Sequence, residues 1–321
     1  MNLERMLQKC EAGQWQVSDL DWSLPPKELR REDEIAVVQY FTDMAGIERL
    51  AKALFEEQRR RETNSTLQKI FDSFVIDEER HALVAERLAK HYDRHHYHDY
   101  RTNPSLLRFQ PHFLRAIKSF TPEVANAYIL AGELILDVAL LRSIDDHVDD
   151  EMSHRAMHLI NRDESRHIAI DYHMAEYYSS DEYQERLDSA PGKSVREVGR
   201  DALGLARMLY YAGPFFRDVF LSPMSVVDPD GVRLREAFKR IHILAHKPGV
   251  RQRPFARFML LVQEAYNQPM LKRILGPLLI RIIGVPGEMI ETLYTSEELE
   301  RAGRMSFDEL AQEAIEAKNY F

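Results

Sequence analysis

The chain has 321 residues, enough for one large domain or two smaller ones, and its 45% hydrophobic content supports a sizeable core. A net charge of -9 gives no electrostatic footprint for nucleic acid, and the single cysteine, Cys10, excludes an intramolecular disulfide and fits a reducing, cytoplasmic setting. The opening Met1-Asn2-Leu3-Glu4-Arg5 lacks the apolar run of a secretory signal. The most apolar stretch, Ile274 to Val285, is interrupted by Pro277 and Arg281 and is too short to span a bilayer, so no membrane is expected.

The pattern along the chain is helical almost throughout. Residues 1–33 read as an amphipathic arm followed by a loop, with Trp15 and Trp22 as packing anchors and Pro25-Pro26 as a breaker. Helices are expected from about Asp33 to Arg61 and from Ser65 to about Tyr92, followed by an exposed, histidine-rich helix end and loop from His91 to Tyr100. Pro104 and Pro111 bound a long crossover. Thr121-Pro122-Glu123 then supplies an N-cap, a proline at the first helical position and an acid in the first turn of a helix running to about Asp146. A fourth helix covers about Glu151 to Tyr178. The remainder, residues 179–321, reads as a polar loop from Ser179 to Ser194 containing Pro191-Gly192, then amphipathic helices broken at Pro223-Met224-Ser225 and Asp228-Pro229-Asp230-Gly231. Ser306-Phe307-Asp308-Glu309 is a capping box opening the last helix. The expected fold is all-α: an arm (1–33), a four-helix bundle with one long crossover (34–178) and an appended helical region (179–321) packing on it.

One spacing occurs twice. Glu48 is followed by 28 residues and Asp77-Glu78-Glu79-Arg80-His81, and Glu133 by 29 residues and Asp163-Glu164-Ser165-Arg166-His167. Ligands on adjacent antiparallel helices reach the same height only if the turn lies near their sequence midpoint. The midpoints fall at Thr63, inside the polar break Glu62-Thr63-Asn64-Ser65, and between Val148 and Asp149, inside the acidic run Asp145 to Asp150. Within each Glu-x-x-His step the two side chains stand roughly 60° apart on one helical face, close enough to bind one metal together. Four carboxylates suit hard cations and can bridge two of them. Two imidazoles select towards iron, manganese or zinc rather than calcium, and iron leads.

The doubled pattern resembles the ferritin-like, non-haem di-iron carboxylate oxidases, over residues from about 34 to 178. That superfamily includes ribonucleotide reductase small subunits, acyl carrier protein desaturases, multicomponent monooxygenases and aminoarene N-oxygenases. The resemblance implies that Glu48, Glu78, His81, Glu133, Glu164 and His167 ligate two iron ions, with a manganese-iron pair as a variant. It also implies that Asp77 and Asp163 hydrogen-bond the ligand histidines, with Arg80 and Arg166 in the same network.

The pattern departs from individual branches. Ala85 stands where many reductase subunits carry a radical tyrosine. Asp137 stands where monooxygenases carry a threonine, Leu136 where desaturases do, and Ile160 where N-oxygenases carry an extra histidine. Asp137, four residues beyond Glu133, is the candidate catalytic acid, as a proton relay, an extra ligand or the partner of a basic group such as Arg142. His158 and His173 sit off the register of the motifs.

The function expected is a dioxygen-dependent oxidase or oxygenase acting on a small organic substrate with an external electron donor. N-oxygenation of an amine ranks ahead of carbon hydroxylation or desaturation of an acyl substrate, and of non-catalytic iron or manganese binding. The appended helices leave a bundle cover, a substrate lid and a homodimer contact open.

Overall fold

The computed structural model describes residues 1–189, 192, 194–317 and 319, and among these there is no strand. Helix α1 spans Leu3–Ala12, α2 Arg31–Arg61, α3 Ser65–Tyr92, α4 Pro104–Ala116, α5 Pro122–Val148 and α6 Glu151–Tyr178. The long helices α2, α3, α6 and α5 pack each against the next in a closed ring, and α1 lies across α3 and α6.

Local chemistry sets the turns. Asn64 caps α3 by accepting from the backbone N–H groups of Thr66 and Leu67. Between α5 and α6, Asp149 adopts a left-handed conformation (φ 51°) and Asp150 caps α6 by accepting from Ser153 N at 2.8 Å. Thr121 sits at the N-cap of α5 as expected, but its side chain makes no capping bond. The acid of that first turn, Glu123, instead accepts from the Tyr183 hydroxyl at 2.5 Å.

The link from α3 to α5 is long, and it is not irregular: it carries α4, with Pro104 in its first turn and Pro111 inside it. Asn103 caps α4 by accepting from Ser105 N, and Phe109 and Phe113 anchor its inner face in the core. Helix α5 is long and apolar enough to cross a membrane, but it is mostly buried inside the protein. From Leu134 to Leu141 it widens into a π-helical segment, and all eight of these residues are buried. A helix apolar on every side is a core helix, and neighbours on all sides select its register.

Beyond α6, the expected polar loop is helical over Asp181–Ser189 (α7), with Tyr183 buried. Pro191 lies outside the described residues. Residues 195–227 form α8 without a stop at Pro223, because that proline occupies the first turn after a second π-helical segment, Phe216–Leu221. The break at residues 228–231 is present, with Gly231 at φ 61°. Helices α9 (Val232–Ala245), α10 (Pro254–Asn267), α11 (Pro269–Ile283), α12 (Gly287–Ile290), α13 (Ser296–Arg304) and α14 (Phe307–Ala317) complete the chain. The Ser306–Glu309 capping box forms in both directions. Helix α9 packs on the π segment of α5, α14 on α6, and α8 on α4.

Candidate metal centre

Two groups of side chains converge between the four long helices. Glu48, Glu78, His81 and Glu164 form one, and Glu78, Glu133, Glu164 and His167 the other. Within each group the donor atoms lie within 4.8 Å of one another, and every member is buried. Glu78 and Glu164 belong to both. The six residues singled out by the duplicated spacing are thus brought together, one or two per helix. Among the described residues no other set of histidine, cysteine and acid side chains converges in this way, the histidine-rich segment 91–98 included. That segment begins with the last residues of α3, where Tyr92 is buried, and continues as a largely exposed loop in which His95 hydrogen-bonds Glu34 at 2.8 Å.

The histidines use their two nitrogens differently. His81 Nδ1 is 3.1 Å from Glu164 Oε1, and His167 Nδ1 is 3.2 Å from Glu78 Oε1 and 3.1 Å from Glu164 Oε2. The outer nitrogens face aspartates in a crossed arrangement. His81 Nε2 hydrogen-bonds Asp163 Oδ2 at 3.2 Å, and His167 Nε2 faces Asp77 Oδ2 at the longer distance of 3.5 Å, so each motif's aspartate lies against the other motif's histidine. Arg80 and Arg166, both buried, complete a ring around them. Arg80 reaches Asp77 at 2.8 Å and Asp163 at 3.6 Å, and Arg166 reaches Asp163 at 2.6 Å and Asp77 at 3.3 Å.

The arm closes this network. Trp15 was expected to be a packing anchor; it is buried, and its indole N–H also donates to Asp163 at 2.7 Å beneath the Arg80 guanidinium. Gln14 donates to Asp77 at 3.2 Å and accepts from Arg80 at 2.5 Å. No local pattern marks Gln14 and Trp15, because their partners lie 63 and 148 residues away.

The donor set fits divalent metal by three observations. First, both oxygens of Glu48 and Glu78, one each of Glu133 and Glu164, and His81 Nδ1 are buried without a hydrogen-bond partner, a costly state that coordination relieves. Second, the charges balance: four carboxylates offset two divalent cations, while Asp77 and Asp163 offset Arg80 and Arg166. Third, without metal the site retains protons. Burial and the neighbouring Glu78 push Glu48 well above the usual carboxylate range, and burial and Glu164 do the same to Glu133. Burial opposes charge on the histidines, yet Asp163 and Glu164 hold His81, and Glu164 and Asp77 hold His167, well above the ordinary imidazole value. Ligation replaces such protons by cations.

Asp137 lies outside both groups. It is fully buried on the π segment that begins directly after Glu133, where the widened turn displaces it from the α-helical register used to place it. Arg142, a suggested partner, lies instead 3.6 Å from Asp146. His158 is exposed and His173 partly buried. A residue not singled out from the sequence, Asp171, is fully buried one turn beyond His167. Neither of its oxygens makes a hydrogen bond, and burial pushes it well above the carboxylate range. The readable signal was its position four residues after a motif histidine, on the same face.

A cavity of about 260 Å³ adjoins the centre. Glu133, Ile47 and Ala51 line it on the bundle side, and Phe215, Phe238, Met259 and Met289 on the appended side. The chain matches no family model, and no curated protein or solved structure is significantly similar to it.

Proposed function

We propose that the chain is a ferritin-like di-iron oxidase or oxygenase, in which Glu48, Glu78, His81, Glu133, Glu164 and His167 would hold two iron ions, Glu78 and Glu164 belonging to both donor groups. The observation that carries this reading is the pair of buried donor groups sharing two glutamates. Two ferrous ions bound there would supply two electrons to dioxygen, one oxygen atom passing to substrate and the other leaving as water with two protons, while an external donor restores the electrons.

The chain's own groups hold and insulate that chemistry. Asp77 and Asp163 fix the imidazole orientations, so that Nδ1 of each ring faces the carboxylates. Arg80 and Arg166 pair with those aspartates, and Trp15 fixes Asp163 in place. Phe74, its ring centroid 4.1 Å from that of His167, and Phe55 exclude water from one side. To Asp137, buried on the same helix four residues beyond Glu133, we assign the passing of protons towards it.

The test is oxygen consumption by ferrous-loaded protein, with mass spectrometry of the products from a panel of aryl amines, amino acids and fatty acids. Incorporation of one oxygen atom supports the reading. Accumulation of many ferric ions per chain without substrate oxidation contradicts it. Asp137→Asn is expected to keep full metal occupancy and slow oxygen consumption about 100-fold or more, the range of general acid-base contributions. Full speed in that variant removes the relay.

A further inference from the structure

The structure assigns the cavity beside Glu133 to an uncharged, largely aliphatic substrate of about ten carbons carrying one hydrogen-bond-accepting group. This rests on the reading of Glu133 as part of a metal centre. It places oxidation at carbon ahead of N-oxygenation, the reverse of the order expected from the motifs.

Size is the first argument. A dry cavity of about 150 Å³ lined by aliphatic and aromatic side chains accepts benzene. At about 260 Å³, this one has room for on the order of ten carbons by the same proportion. Gly132, next to Glu133 in the wall, leaves open space: a Cβ built there meets nothing within 4 Å.

Charge is the second. Leucine, isoleucine, phenylalanine and methionine side chains dominate the wall, and no lysine or arginine contributes to it. Glu133 is the one acid, and its carboxylate is committed to the centre. A carboxylate head would lie in the cavity with no counter-ion, and an alkylammonium head could pair only by drawing Glu133 away from the metals. Either arrangement is costly in so apolar a space.

The third is a pair of polar handles, the Tyr128 hydroxyl, which is buried in the wall without a hydrogen-bond partner, and His242. His242 lines the cavity, and its Nδ1 accepts from the Gln263 amide at 2.9 Å, which puts the ring proton on Nε2. That N–H has no acceptor among the described residues. Burial lowers the His242 pKa to about 4, so the ring is a neutral donor. A hydroxyl, ether or carbonyl oxygen of the substrate matches it. Entry is between α10 and α11, where the lining residues Phe258 and Ile282 stand half-exposed.

Calorimetric titration of the full-length protein with 1-alkanols from hexanol to tetradecanol tests the assignment. Affinity is expected to rise about fourfold per methylene and to stop rising near ten carbons. Decanoate and decyltrimethylammonium should bind at least tenfold more weakly than 1-decanol. Gly132→Phe, or Ala212→Leu in the wall contributed by α8, should weaken 1-decanol at least tenfold, each variant being checked for an unchanged unfolding profile. His242→Leu should weaken it about fivefold and leave the chain-length dependence intact. No binding of 1-decanol, equal binding of the charged probes, or indifference to both cavity-filling variants overturns the assignment. Oxygen consumption by ferrous-loaded protein separates the two readings. Alkanol binding without oxygen chemistry overturns the di-iron reading alone, and oxygen chemistry without alkanol binding overturns this assignment alone.

Discussion

At the scale of single residues, the crossed pairing of aspartates and histidines makes a specific demand. Asp77 and Asp163 lie outside both donor groups, but each faces the outer nitrogen of the histidine on the opposite helix. Replacing either by Ala is expected to lower metal affinity about 10- to 100-fold without abolishing binding. Competition titration with a chelator of known affinity measures this, and an unchanged affinity in both variants contradicts the role. The histidines and glutamates of the two donor groups were legible from one duplicated spacing, because a metal site on helices imposes fixed angular steps, whereas the aspartates and arginines around them were implied by the resemblance. Gln14 and the hydrogen-bonding role of Trp15 were not, because contacts across 63 and 148 residues leave no periodic trace. The π-helical turn that carries Asp137 left no such trace either, so its position outside both donor groups was not legible.

At the scale of elements, the four long helices were legible to within a few residues, since their turns carry strong polar signals: Asn64 at one, Asp149 and Asp150 at the other. The π segment of α5 was hidden for a physical reason. With all eight residues buried it has no polar face, so its sequence carries no angular period. Prolines misled in two places. Pro111 lies inside α4 and Pro223 inside the continuous run of α8, where packing outweighs local preference.

The joint between α8 and α11 was also invisible, as it is a backbone contact. Gly284 adopts φ 81°, and a Cβ there would lie 2.4 Å from the Gly213 Cα. Gly284→Ala is therefore expected to destabilise the protein by about 2 kcal/mol or more, from the left-handed strain plus the displaced neighbour. Val285 beside it lines the cavity, so the same change should disturb that wall. Urea denaturation measures the loss, and a change below about 0.5 kcal/mol would refute the close approach.

At the scale of the molecule, the appended helices turn a bundle face into one wall of an apolar cavity and bury His242 in the process. The consequence for stability follows from linkage. The folded-state pKa of His242 is lowered to about 4 from 6.5, so the unfolded chain binds more protons between those values. The neutral ring's contribution is therefore fully present above pH 6.5 and is lost as the pH falls towards 4. The loss amounts to about 3 kcal/mol. Denaturation of metal-free protein at pH 7 and pH 4 should show the wild type losing about that much more than His242→Gln. Equal losses would show that His242 is not buried as described.

The central claim, a pair of metals held by six residues, is tested most directly by metal analysis of purified protein loaded with ferrous iron and freed of excess. Two ions per chain are predicted, with occupancy falling in both Glu78→Ala and His167→Ala, because Glu78 serves both donor groups and His167 one. A stoichiometry near zero, or one unchanged by Glu78→Ala, would contradict the account.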